Sequence, residues 1–344
     1  MVKRSLFISI MVIVSLFLLF FLGQFSTVLA QSKGEFIIYG SGEEEYVSVA
    51  VEEFTKATGI KTQYLRLSTG ECFNRLRAEK DNPQASVWFM GPGDVYRVAA
   101  TEGLLHPYIS PSAKNIDPSL KDPDGYWTTF VLVPFGFVSN KDLLDKAGLP
   151  IPTSWYDLLD PRYKGQVVLS NPFTSGTAYT VLSSLVTLMG EDEAFDYLKK
   201  LNENILQYTQ SGSAPGRMAG NGEALVGIIF ISNAVEQQKQ GYPLTISTPK
   251  EGVGYSQELT AIIAGAPALD DAKAFIDWIL SEDGQKVMQG HFTTFIYSNP
   301  AITTDPETAY IFDNLELIDR DMVWAAEQSE RLKEKFHTEI ALIR

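Results

Sequence analysis

The sequence predicts an α/β protein of two lobes with a ligand cleft between them. Three observations carry that prediction. Past residue 30, short β-rich runs alternate with helical ones, the pattern of packed strands and helices. The alternation comes as two series, the second beginning near residue 131. The chain has 344 residues, enough beyond its leader for two hydrophobic cores rather than one.

The first 30 residues read as an export signal. Lys3 and Arg4 precede an apolar run over 6–22 that only Ser9 and Ser15 interrupt, and Val28-Leu29-Ala30 puts small residues where a signal peptidase reads. Cleavage after Ala30 is expected, with a retained membrane anchor as the alternative. Residues 36–39 are a buried first strand, and Gly40-Ser41-Gly42 turns the chain into a helix. Its apolar positions are Tyr46, Val47, Ala50, Val51, Phe54 and Ala57, and Gly59 stops it. A second strand over 60–67 leads through Ser68-Thr69-Gly70-Glu71 into the next helix. A third, over 86–90, leads through Gly91-Pro92-Gly93 into a helix over 94–101.

The second series follows a strand past residues 131–138. A strand over 166–169 runs through Asn171-Pro172-Phe173-Thr174-Ser175-Gly176-Thr177 into a long helix. Helices near 191–201 and 214–220 precede a strand over 224–230. A strand over 259–264 and a helix over 270–280 return to the first lobe, and an amphipathic helix over 319–340 ends the chain. Lobe 1 is therefore expected over 31–137 with 256–300. Lobe 2 is expected over 138–255, with residues 301–344 packed on it. The crossings are placed near Val138-Ser139 and Tyr255-Ser256, and a cleft belongs between such lobes.

Net charge is −14, and the expected leader carries two basic and no acidic residues. That balance argues against nucleic acid and anionic lipid as partners. The single cysteine, Cys72, can form no internal disulfide and lies too far along to be a lipid-bearing first residue. No motif of nucleophilic, nucleotide-binding or zinc-protease chemistry occurs. His106, His291 and His337 are scattered, and Asp122-Pro123-Asp124-Gly125 reads as a surface turn, so neither a metal nor a cofactor is expected.

What recurs is a Gly/Ser/Thr loop at a helix start: Ser41-Gly42, Ser68-Thr69-Gly70, Ser175-Gly176-Thr177 and Ser211-Gly212-Ser213. Helix N-termini present unpaired N–H groups and partial positive charge, and glycine lets backbone approach a ligand closely. Any one such loop is better read as an ordinary cap or turn. Four together point to a cleft that grips an anionic or oxygen-rich ligand. Cys72, Trp88 and Arg217 each have two readings: reactive thiol or packed residue, ligand-stacking ring or core, phosphate partner or helix surface.

These phrases carry a resemblance. With Tyr39-Gly40-Ser41-Gly42, WYDLLDPRY over 155–163, NPFTSGTAY over 171–179, QSGSAP over 210–215 and Pro249-Lys250-Glu251-Gly252, residues 35–300 resemble the extracellular solute-binding proteins of the ferric-binding and hexose-phosphate-binding group. The resemblance implies a type II periplasmic-binding-protein fold that closes on its ligand and delivers it to the membrane permease of an ABC importer. It implies a binding protein, not an enzyme, working as a monomer outside the cytoplasm. The ferric branch has adjacent tyrosines, and the hexose-phosphate branch a His-Asp pair, after the strand that ends here at Phe230. This chain has Ile231-Ser232-Asn233 there, which disfavours hard Fe(III).

A phosphorylated sugar, a phosphonate or a related organic anion is the expected ligand. Ser41, Gly42, Ser68, Thr69, Gly70, Ser175, Gly176 and Thr177 would serve the anionic group. Ser232, Asn233 and Glu251 would read its other end. Glu71 either joins the site or stabilises its own helix, and Glu251 is either a ligand residue or a loop charge. The rival readings are a ferric binder with atypical ligands, a hydrolase using Glu71 or Glu251, and a sensor domain.

Overall fold

A computed structural model describes residues 35–306, 308–312 and 315–343. The export signal expected over 1–30 lies outside them. Strands β1 (Phe36–Gly40), β2 (Thr62–Arg66) and β3 (Val87–Pro92) alternate with helices α1 (Glu44–Thr58), α2 (Thr69–Ala78) and α3 (Gly93–Thr101). The two-residue β4 (Leu105–His106) leads to the long β5 (Thr128–Asn140). Then come α4 (Lys141–Ala147), β6 (Val167–Ser170), α5 (Gly176–Met189), α6 (Glu191–Asn202), β7 (Ile205–Thr209), α7 (Ala214–Gly220), β8 (Val226–Phe230), α8 (Ile231–Lys239) and β9 (Leu244–Ser247). The chain returns through β10 (Tyr255–Ile263), α9 (Leu269–Leu280), α10 (Glu282–His291) and β11 (Ile296–Tyr297), and ends with α11 (Ala309–Phe312), α12 (Met322–Glu327) and α13 (Ser329–Glu339).

The strands run in the order β2-β1-β3-β10-β5-β8-β6-β7. β1, β2 and β3 are parallel, and the apolar run of β1 is covered on both faces, as parallel sheets require. Lobe 1 packs Phe54, Phe89, Phe130 and Phe275 between this sheet and its helices, and lobe 2 packs Phe137, Trp155, Leu182 and Phe195. β5 belongs to both lobes. Its first half pairs with β10 as far as Pro134, opposite Tyr255, and its second half pairs with β8 from Phe135, opposite Phe230. Proline has no N–H to leave unpaired, so it suits a point where the partner strand changes.

The crossing thus falls at Pro134-Phe135, earlier than the Val138-Ser139 expected. Those two residues pair inside lobe 2 with Gly227 and Val226. The return crossing lies beside it, where Phe135 N–H donates to the Gly254 carbonyl at 3.1 Å. A third connection was not expected. Val253 N–H donates to Glu316 O at 2.7 Å and Ile318 N–H to Val253 O at 3.0 Å, so a C-terminal segment pairs with the hinge itself. The helix expected over 319–340 breaks at Gln328: α12 lies on α3 of lobe 1, and α13 sends Leu332 and Phe336 into the core of lobe 2. Residues 301–344, expected on lobe 2, therefore reach both lobes.

Candidate functional site

A cavity of about 260 Å³ lies between the lobes. Lobe 2 builds its wall from strand-to-helix turns. After β6, Ser175 N–H donates to Asn171 O at 3.0 Å, and Ser175 Oγ then accepts from Ala178 N at 3.3 Å, capping α5. The neighbouring turn after β7 is tied to the first: Thr174 Oγ1 donates to Gln210 O at 3.0 Å and Ser170 Oγ to Ser211 O at 3.1 Å. Gly212 sits where a Cβ would overlap Thr177 Oγ1 and come within 2.9 Å of Ser175 Oγ. Only glycine lets the two turns touch.

Thr177 lines this cradle, is 8% exposed, and its hydroxyl makes no hydrogen bond among the described residues. A hydroxyl that lines a cavity without a protein partner is a donor on offer to whatever the cavity holds. α5 and α8 both begin on the cavity, and neither has an acidic residue in its first turn. Ser232 and Asn233 stand in the first turn of α8. This wall is a set of donors with partial positive charge and no cationic side chain among its lining residues.

On lobe 1, Ser41 and Gly42 line the cavity, and Ser41 Oγ accepts from Trp88 Nε1 at 2.6 Å. Trp88 is fully buried and stacked on Tyr96, with centroids 4.0 Å apart, so it is core. Tyr46 leans edge-on against Phe292 and Phe295 at 4.6 and 4.8 Å. Burial pushes its phenol well up, and the Ser232 hydroxyl across the cleft works against that rise. Met90 adopts a left-handed backbone, φ 61°, and Tyr96 Oη donates to its carbonyl at 3.1 Å. Strain of that kind collects at ligand sites.

Of the sequence-predicted residues, Ser41, Gly42, Ser175, Gly176, Thr177, Ser232 and Asn233 come together on this cavity. Five do not. Ser68 and Glu71 form a capping box, Ser68 N–H donating to Glu71 Oε2 at 2.8 Å and Glu71 N–H to Ser68 Oγ at 3.3 Å. Those bonds hold the Glu71 carboxyl below its ordinary range. With Thr69 and Gly70 they start α2 outside the cavity lining. Glu251 is taken up by Ser154, whose hydroxyl donates to it, and by Trp155 N–H at 3.3 Å. It caps a turn of lobe 2. Arg217 Nη1 donates to Ser213 Oγ at 2.9 Å and stays outside the lining. Cys72 is buried, which pushes its thiol up to about 11, so the reactive-thiol reading fails.

Sequence reading missed Glu43, Tyr46, Met90, Ser256 and Glu258, all on the cavity. Glu258 sits at a β-bulge: the register of β10 shifts just after it against both β3 and β5. A bulge re-aims a side chain and leaves no signal in local sequence. The glycine-proline cluster around Met90 was a usable signal, since Gly91-Pro92-Gly93 announces irregular backbone at the end of a strand.

Comparison with known proteins places these features in a group. The family described as bacterial extracellular solute-binding protein matches residues 93–310. An uncharacterized protein of Haemophilus influenzae is 37% identical over 322 residues, 91% of this chain and 92% of its own length. A putative 2-aminoethylphosphonate-binding periplasmic protein of Salmonella typhimurium is 29% identical over 251 residues, 71% of this chain and 72% of its own. Among solved structures, the periplasmic binding protein AfuA of Actinobacillus pleuropneumoniae, with exogenous fructose-6-phosphate bound, is 38% identical. It superposes with a TM-score of 0.80 over 90% of this chain and all of that one.

Proposed function

From the bacterial extracellular solute-binding proteins, the family to which this chain belongs, we propose that its cleft captures a small organic phosphate or phosphonate. The family role is solute binding for an ABC importer, carried out in the periplasm or an equivalent extracytoplasmic space. The single observation that carries the ligand reading is Thr177, whose hydroxyl makes no hydrogen bond among the described residues and lines the cavity between helix N-termini that no acidic residue neutralises. Such a cradle matches a phosphorus oxyanion, which accepts several hydrogen bonds at once. The relatives support the same class, since one is named for 2-aminoethylphosphonate and another holds fructose-6-phosphate.

Nothing in the cleft calls for chemistry on that ligand. The protein acts as a monomeric carrier that closes, holds and hands over its cargo to the permease. The test is calorimetric titration with inorganic phosphate, fructose 6-phosphate, 2-aminoethylphosphonate and Fe(III), with native mass spectrometry of protein purified without refolding. Stoichiometric binding of a phosphorus ligand without product formation is expected. Binding of Fe(III) alone, with a visible charge-transfer band, would overturn the reading.

A further inference from the structure

Beside the ligand cavity lies a second one of about 280 Å³, and it too is walled by both lobes. Lobe 1 supplies Glu43, Glu44 and Glu45 at the start of α1, and lobe 2 supplies Arg217 of α7 and Glu236 of α8. Glu43, Tyr46, Ser213 and Asn233 line both cavities, and the three glutamates of α1 are exposed. The second cavity is therefore the mouth of the cleft.

Charge in this mouth is unevenly covered. Glu44 accepts from Tyr64 Oη at 2.8 Å, whereas the carboxylates of Glu43 and Glu45 make no hydrogen bond or ion pair among the described residues. Glu236 meets Lys239 only at 3.9 Å. Glu43, Glu45 and Glu236 each push the Tyr46 phenol upward, so carboxylates of both lobes act on one ring. Arg217 is the one cationic side chain among the described lining residues. Its guanidinium donates to Ser213 Oγ at 2.9 Å and pairs with no carboxylate among the described residues.

Bending the lobes together narrows this gap. Glu236 alone would then face Glu43 and Glu45 with a repulsion that grows as the distance falls. Arg217 balances Glu236 on the lobe 2 side, one positive charge against one negative, and brings an unpaired cation toward two uncovered carboxylates. A guanidinium suits that duty, because it stays charged and its fork of donors can engage two oxygens at once. We propose that Arg217 is the counter-charge of closure: it pairs across the mouth with Glu43 and Glu45 when the lobes close, and so sets how tightly every cargo is held without touching any. This goes beyond the phosphate or phosphonate reading, since it holds for whatever the cleft takes. It also gives a role to an arginine that the fold leaves outside the ligand cavity.

The experiment is calorimetric titration with fructose 6-phosphate, 2-aminoethylphosphonate and inorganic phosphate, run as a cycle. Its four proteins are wild type, Arg217→Gln, the pair Glu43→Gln with Glu45→Gln, and all three changes together. The three residues are exposed, so the substitutions leave both cores intact. Arg217→Gln should weaken all three ligands by one common factor, roughly two- to fivefold, the range of a partly exposed ion pair. In the background without the two carboxylates the same change should cost nothing measurable. Raising salt from about 0.01 to about 1 M shortens the Debye length from roughly 30 to 3 Å, so the factor should fall toward one. A loss that persists without Glu43 and Glu45 would make Arg217 a ligand residue and overturn the inference. Unchanged affinity in Arg217→Gln, or losses that differ among the ligands, overturns it as well. Should wild type bind none of the three, the phosphate reading falls and ligand-free protein decides the pair. Charge reversal by Arg217→Glu should then enlarge the radius of gyration at low salt, and an equal radius overturns the inference.

Discussion

Thr177 and Ser175 divide two duties that sequence alone could not separate. Ser175 is the cap of α5, since its hydroxyl accepts from Ala178 N. Thr177 makes no such bond, so its hydroxyl is available to a ligand. Thr177→Val keeps the shape and removes that donor. A hydrogen bond to a charged group contributes roughly 1.5–3 kcal/mol, so affinity for a phosphorylated ligand should fall roughly 10- to 100-fold, read by titration. The melting temperature of the free protein should hold, whereas Ser175→Ala should lower it, since a lost cap costs about 1 kcal/mol. The Ser-Gly-Thr turn was legible because it precedes an apolar helix. Ser68-Thr69-Gly70-Glu71 has the same composition, yet its Ser-x-x-Glu spacing already spells a capping box, and that mechanism was the better guide. Glu258 was not legible, because a bulge exists only once three strands have paired.

At the scale of elements, the alternating series gave the strands and helices of both lobes nearly where they fall. Sequence erred where an element serves two masters. β5 is buried along all 13 residues, so its hydrophobicity has no break to mark where the sheet partner changes. The terminal amphipathic stretch reads as one helix, and it divides because α12 and α13 pack on different lobes. Glu191, at the start of α6, ties α13 down: Arg331 Nη2 and Lys335 Nζ approach it at 2.7 and 2.8 Å and hold its carboxyl down to about 2 from an ordinary 4.5. A carboxyl depressed on folding stabilises fully above its unfolded pKa and loses that contribution as pH falls toward the folded one. Both cations are partly exposed and screened, so the pair contributes roughly 1 kcal/mol or less. Glu191→Gln should therefore lower the melting temperature by about 2 °C or less at pH 7. The gap should close between about pH 4.5 and 2, and melts across that range check it.

The whole molecule binds by bending, and the hinge has three strands of chain: β5 at Pro134-Phe135, the return at Gly254-Tyr255, and the C-terminal segment on Val253. Hinges of this build close around a ligand when it favours the closed form. Tyr46 of α1 and Ser232 of α8 also face each other across the cleft from opposite lobes. For Ser232, expected to read the ligand, that neighbour offers a second role, a contact made on closure. The two roles predict different behaviour. A residue that touches ligand discriminates among ligands, whereas a contact formed only on closure changes the closed population and so rescales every affinity by one factor. A neutral hydrogen bond contributes about 0.5–1.5 kcal/mol net, so Tyr46→Phe should weaken fructose 6-phosphate, 2-aminoethylphosphonate and inorganic phosphate alike, by roughly 2- to 10-fold. Small-angle scattering should show a radius of gyration that falls with saturating ligand in wild type and in Tyr46→Phe, with the variant needing more ligand to reach the same end point. A loss confined to one ligand would instead make Tyr46 part of the reading surface, and an unchanged radius on saturation would remove hinge closure from the mechanism.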